Sequence, residues 1–231
     1  MPGLVRLNKH LAHTLGISRR EADLRIEQGR VRVNNKMATL GNVIQPDRDS
    51  ITVDEDTVST AVKRYTYLLL NKPTGYICSR KLQGNTPTIY SLLPRQYHYL
   101  KVAGRLDKDS QGLLLLTDDG DTIFKLTHPK FGKEKVYEVG LNKPLTIEDL
   151  ALINEGIWLE DGKSDIRISV IPAKAGISRL PNMYKVTMHE GRNRQIRRTF
   201  GGLRYMVTHL ERIKFGNYTL DQLKNHRYLQ I

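Results

Sequence analysis

The chain is predicted to be an α+β protein, with a small basic unit ahead of a larger domain. Three observations carry this prediction. The 231 residues, 39% apolar and 26% charged, suffice for a large and a small domain of ordinary soluble composition. The texture changes near Tyr65, from short amphipathic stretches to near-continuous apolar runs such as Leu68-Leu69-Leu70 and Leu113-Leu114-Leu115-Leu116. Beyond that point strand-like and helix-like segments mix without strict alternation, which argues against a doubly wound sheet.

Taken in order, the elements are these. Leu7, Leu11 and Leu15 recur at four-residue spacing, the stripe of an amphipathic helix that Gly16 stops. Ser18 followed by Glu21 is a capping box and opens a second helix that runs through Glu27 and ends at Gly29. Val31 and Val33, then Ile51-Thr52-Val53, read as short strands, with Asn34-Asn35 as a turn. Asp54-Glu55-Asp56 begins an acidic, polar linker near residues 54–63, so the unit boundaries are placed at 1–60 and 64–231. In the second unit, strands are expected at 65–71, 113–117, 134–140, 165–171, 183–189 and 207–213. Lys72-Pro73-Thr74-Gly75 is a turn, Thr86-Pro87 opens a short helix to Leu93, and further helices fall at 120–127, 146–155 and 193–201.

Charge narrows the partner class. Net charge is +13, and the excess is clustered. Residues 1–40 hold eight basic and three acidic side chains, residues 181–231 ten and three, whereas residues 41–60 hold one and five. Clustered positive charge attracts phosphate backbones by counterion release. The single cysteine, Cys78, excludes an internal disulfide framework and fits a reducing cytosol. No apolar run approaches the ~20 residues of a bilayer span, and Met1–Arg6 lacks the apolar core of a secretory signal. A cytoplasmic, monomeric protein without membrane contact is expected.

Phosphate-loop, dinucleotide-fold and HExxH patterns are absent, and the histidines have no zinc-like spacing, so neither cofactor nor metal is expected. The stretch Asp107-Lys108-Asp109-Ser110-Gln111-Gly112 half-matches a calcium loop. Gln111 at its fifth position and Asp118 at its twelfth depart from that pattern, and the following leucines favour a strand. What remains is a carboxylate with an arginine two residues before it, in a polar turn held by an apolar strand.

Three segments, in order, resemble the successive motifs of the pseudouridine synthases. They are Gly104-Arg105-Leu106-Asp107, then Lys135-Val136-Tyr137, then Glu190-Gly191-Arg192-Asn193-Arg194-Gln195-Ile196-Arg197-Arg198. The stretches Arg6-Leu7-Asn8-Lys9, Ser18-Arg19-Arg20-Glu21-Ala22-Asp23 and Gly29-Arg30-Val31-Arg32-Val33-Asn34 resemble the S4 RNA-binding module. Val5–Lys9, Ile26–Gly29 and Asp107–Gly112 look most like the F-type synthases of the large ribosomal subunit.

The resemblance implies a catalytic domain built on a central mixed, largely antiparallel sheet flanked by helices. It implies Asp107 as the catalytic aspartate, Tyr137 against the target base, and Arg197 paired with Asp107. Arg105 would fill the space the uridine vacates. Arg6, Lys9, Arg19 and Arg20, with Arg192, Arg194 and Arg198, would contact RNA. The implied reaction is conversion of uridine to pseudouridine in 23S rRNA or its assembly intermediates. The alternatives are 16S rRNA or tRNA as substrate, or a non-catalytic RNA-binding protein on the same scaffold. On a helix from Asn193, Ile196 and Phe200 share one face, Arg194 and Arg198 point away, and Arg197 sits at the border.

Overall fold

The computed structural model describes residues 3–58, 65–171 and 182–231. The chain divides into two compact units, Met1–Tyr65 and Thr66–Ile231. Among the described residues no helix is long and apolar enough to cross a membrane.

In the first unit, β1 (Val5–Arg6) leads into α1 (Leu7–Thr14) and α2 (Arg19–Glu27). Leu7 and Leu11 are fully buried, whereas Leu15 lies beyond the helix end and is exposed. Ser18 Oγ accepts the Glu21 N–H at 3.0 Å and caps α2. Next come β2 (Val31–Val33), β3 (Lys36–Met37), β4 (Val43–Ile44), β5 (Ile51–Val53) and β6 (Asp56–Thr57). β3, β2, β5 and β6 form one antiparallel sheet in that order, and β1 pairs with β4. Asn34 and Asn35 both take positive φ (51° and 64°) and make the two-residue hairpin turn between β2 and β3.

The acidic stretch from Asp54 requires a correction. Asp54 and Glu55 are the turn of the β5–β6 hairpin, and Val58 returns to the core. Asp54 takes two hydrogen bonds of 2.6 Å from the Arg30 guanidinium, so its charge serves a local ion pair. The rest of the expected linker, 59–63, lies outside the described residues.

The second unit contains β7 (Tyr67–Lys72), β8 (Lys101–Ala103), β9 (Gln111–Thr117), α3 (Gly120–Thr127), β10 (Lys135–Leu141), α4 (Ile147–Glu155), β11 (Ile157–Leu159) and β12 (Gly162–Ser164). β13 (Ile166–Val170), β14 (Met183–Met188), α5 (Gln195–Gly202), β15 (Val207–Phe215), β16 (Tyr218–Thr219) and β17 (Tyr228–Gln230) complete it. The expected helix at 86–93 is a 3-10 turn over Ile89–Leu92. Residues 172–181 lie outside the described residues.

One mixed sheet organises this unit, in the order β13-β14-β10-β15-β9-β7-β17, with β8 paired to β9 and β16 to β15. Among the described residues of this sheet only the β9–β15 junction is parallel, and every other strand pairing is antiparallel. Burial on both sides explains the leucine runs. Leu68, Leu70, Leu114 and Leu116 enter the larger core on one face, while Leu69, Leu113 and Leu115 enter a smaller core on the other.

The β9–β15 junction positions the candidate site. Gly112 stands opposite Arg212 there, with φ of +101°. A Cβ at Gly112 would meet the Arg212 carbonyl oxygen at 2.4 Å and its nitrogen at 2.7 Å. Only glycine lets the two backbones come this close.

Candidate active site

Asp107 lies in the loop from β8 to β9, and that loop is held from beneath by two buried cations. Lys72, the last residue of β7, has no exposed surface, and its Nζ donates to Ser110 O at 2.6 Å and Pro73 O at 3.1 Å. Burial pushes the Lys72 ammonium below its usual range. Arg212 is 1% exposed, and it donates through Nε to Leu113 O (2.8 Å) and through Nη2 to Gly104 O (3.0 Å). Its guanidinium sits 4.6 Å from the Phe215 ring. Within the loop, Ser110 N–H donates to Asp107 O at 3.2 Å and Leu106 N–H to Cys78 Sγ at 3.4 Å. Cys78 is partly buried, and burial pushes its thiol up, against a reactive role.

The third motif approaches from the other side, and its local backbone differs from the expected helix over 193–201. The helix starts at Gln195, because Arg194 takes left-handed φ and ψ of 46° and 32°. That turn sends the Arg194 side chain back toward the Asp107 loop. Arg194 donates to both carboxylate oxygens of Asp109 at 3.0 Å and lies 3.6 Å from Asp107 Oδ2. Arg197 Nη2 donates to Asp109 O at 2.9 Å, and its Nε is 3.3 Å from Asp109 Oδ2. The expected Arg197–Asp107 pair is thus replaced. Arg197 meets Asp109, and the arginine next to Asp107 is Arg194. Hydrogen bonding from Arg194, aided by the charge of Arg197, holds the Asp109 carboxyl below its usual range.

Arg192 and Arg198, expected at RNA, both have protein partners. Arg192 Nη1 donates to Asp161 O and Gly162 O, and its Nη2 to Lys163 O, at 2.8–3.0 Å. Arg198 makes a two-pronged pair with Asp161 at 2.9 and 2.7 Å. Both arginines tie the β11–β12 hairpin to the third motif. In the first unit Arg6, Arg19 and Arg20 are exposed and Lys9 is partly exposed, with Arg19 donating to Asn8 Oδ1 at 3.1 Å.

The loop, the third motif and β10 enclose a cavity of about 280 Å³. Asp107, Arg105, Tyr137, Arg194 and Arg197 all line it, so five residues from three distant motifs meet there. Tyr137 is 8% exposed and shares the larger core, so it is both core and cavity wall. Arg105 is exposed and hydrogen-bonds to no described residue. Lys135, Arg192 and Arg212 also face the cavity, so Asp107 is the one carboxylate among six basic side chains in its wall. Such a wall favours an anionic ligand.

Asp109, Lys72 and Arg212 were not singled out from sequence. For Arg212 the alternation signal is broken, because irregular pairing with β10 leaves Val207, Leu210, Arg212 and Phe215 buried in β15. Asp109 was visible only as half of a calcium-like pattern, and its partners lie 85 and 88 residues away.

Residues 66–201 match the family model described as RNA pseudouridylate synthase, and residues 5–47 match the S4 domain. The chain is 37% identical to the ribosomal small subunit pseudouridine synthase A of Haemophilus influenzae, over 94% of this chain and 91% of that one. It is 35% identical to the ribosomal large subunit pseudouridine synthase B of Pseudomonas aeruginosa, over 98% of this chain but 59% of that longer protein. It is 34% identical to the dual-specificity RNA pseudouridine synthase RluF of Escherichia coli, covering 94% of this chain and 72% of that one. A crystal structure of a pseudouridylate synthase superposes with a TM-score of 0.66 at 31% identity, covering 98% of this chain and 96% of that chain.

Proposed function

The chain belongs to the RNA pseudouridylate synthase family, and from that premise we propose that it isomerises a specific uridine of ribosomal RNA through Asp107. Family membership makes it an RNA pseudouridine synthase with an S4 domain. The observation that carries the residue assignment is the convergence of Asp107, Tyr137 and Arg194 on one cavity with a basic wall.

The reaction breaks the bond from ribose C1′ to the uracil ring nitrogen and forms one from C1′ to a ring carbon. That carbon loses a proton and the nitrogen gains one, so atoms and electrons balance without a redox partner. Asp107 acts at the sugar or the base, as nucleophile or as proton acceptor. Tyr137 lies against the uracil, and the basic wall takes the backbone phosphate. The uridine must leave its stack to enter, and exposed Arg105 at the rim is placed to fill the gap. Nothing in this balance calls for a cofactor.

Large-subunit RNA is the preferred substrate, supported by the F-type character of Val5–Lys9, Ile26–Gly29 and Asp107–Gly112. The relative named for the small subunit, at 37% identity, supports 16S RNA as the second reading. Tritium release from uridine-labelled 23S and 16S RNA tests both. Asp107→Asn is expected to abolish release while leaving RNA binding intact, and retained turnover would remove Asp107 from this role. Mapping pseudouridines in cells lacking the protein identifies the target.

A further inference from the structure

We propose that the turn between α3 and β10 carries a stacking platform for an unpaired nucleotide beside the target uridine. Phe124, His128 and Phe131 form it, with Lys130 over their rings. The proposal rests on the RNA-modifying function above and adds a contact outside the reacting site.

These aromatic side chains belong to none of the hydrophobic cores of the described residues. Phe124 is 46% exposed and Phe131 37%. Burying a phenylalanine is worth ~1.5–3 kcal/mol, yet this turn leaves two of them side by side and partly open to water. They nonetheless pack against each other. The Phe124 and Phe131 rings meet edge to face at 5.5 Å and 87°, and His128 lies 4.8 Å from Phe124. Lys130 Nζ stands 5.1 Å from one phenylalanine ring and 4.8 Å from the other.

The backbone fixes this arrangement. His128 Nδ1 accepts the Lys130 N–H at 3.2 Å, Phe131 N–H donates to His128 O at 3.1 Å, and Gly132 closes the turn at a φ of +51°. Preformed aromatic faces of this kind suit a base, because every base offers a π-face whatever its sequence.

Position and charge commit the platform to nucleic acid. Thr127 and Pro129, from the same segment, line the cavity that holds Asp107 and Tyr137. Three residues after Gly132, β10 begins and carries Tyr137 into that cavity. Lys125 and Lys133 lie in the same stretch of chain as Lys130, while Glu134 is paired with Lys214 at 2.7 Å. A uridine drawn into the cavity leaves its neighbour with one face unstacked. A ring of the adjoining turn restores that stack, and Lys130 meets the phosphate.

The test uses the full-length protein and a single-stranded oligouridylate carrying one aminopurine, whose emission falls when the base stacks. Wild-type protein is expected to quench the emission. Phe131→Ala and Phe131→Leu are each expected to lose most of the quenching and to bind about 5- to 100-fold more weakly, the equivalent of ~1–3 kcal/mol for one stacked base. Phe131→Trp is expected to restore both. The leucine variant separates stacking from packing, because it keeps apolar bulk and removes the π-face. Wild-type quenching and affinity in a folded Phe131→Leu protein would overturn the proposal and leave the rings as a helix-end cap. So would unchanged RNA affinity with altered sedimentation, which would assign the patch to contact between copies of the chain. Tritium release from rRNA by the wild type is read separately, so failure of the catalytic reading is distinguishable from failure of the platform.

Discussion

Arg194 and Asp109 form a two-pronged ion pair with both N–O distances at 3.0 Å, and Arg197 grips the same aspartate from its other side. The carboxylate two residues after Asp107 therefore holds both arginines at the cavity wall. It orders the positive charge that Asp107 faces without itself lining the cavity.

Asp109→Asn keeps the side-chain size and removes the charge that orients both arginines. We expect kcat/KM for tritium release to fall about 10- to 100-fold, the scale of a catalytic group displaced by ~1 Å, with partial recovery in Asp109→Glu. The pair also sets an acid limit. A carboxyl held below its unfolded value of 3.8 adds stability above that pH and loses it as pH falls through the lowered value. Wild-type protein should therefore show an unfolding contribution below about pH 3.8 that the Asn variant lacks. Identical acid titrations and turnover would make the pair incidental.

Lys72→Met matches the side chain in length but donates no hydrogen bond. Ser110 O and Pro73 O then lose a buried donor, at roughly 1–3 kcal/mol for each orphaned group, partly offset by no longer burying a cation. The expected outcome is a loss of roughly 2–4 kcal/mol in urea unfolding, with turnover falling as the Asp107 loop loosens. Unchanged stability would show that Lys72 does not hold the loop.

Gly112→Ala places a Cβ against the Arg212 backbone at a φ of +101°. Strain and overlap together should cost about 3 kcal/mol or more. A thermal melt lowered by less than a few degrees would show that β9 and β15 separate easily.

Arg198→Ala distinguishes a hairpin tie from a phosphate contact. Because Asp161 takes two of its nitrogens, the variant should leave the salt dependence of RNA binding unchanged. A phosphate contact would lower the slope of log K against log salt by ~1. Asp161→Ala, which frees Arg198, should steepen that slope. Filter binding at several salt concentrations reads both.

Much of the fold was legible because its signals are local. Ser18 and Thr146 cap the helices they were expected to open, and Asn34-Asn35 supplies the positive φ values that a tight hairpin requires. Strands buried on both faces show as runs of leucine, so β7 and β9 were readable within two residues. The strand β8, the β11–β12 hairpin and β17 were not anticipated. Each is three residues long and is a strand only because a partner lies beside it. Three motifs named Arg105, Asp107, Tyr137 and Arg197, and the cavity gathers all of them.

The sequence by itself determined the α+β class, the family and the candidate site residues, since these rest on residue type and short spacing. Only the tertiary structure decided which arginine meets which carboxylate. The motif assigns Arg197 to Asp107 and leaves Arg194 to RNA, because on a regular helix from Asn193 the Arg194 side chain points away. A single left-handed residue before α5, and the register that sets Gly112 beside Arg212, give Asp109 to both and place Arg194 nearest Asp107. Those partners are brought together by sheet pairing across some 85 residues of chain, a distance over which no local pattern carries information.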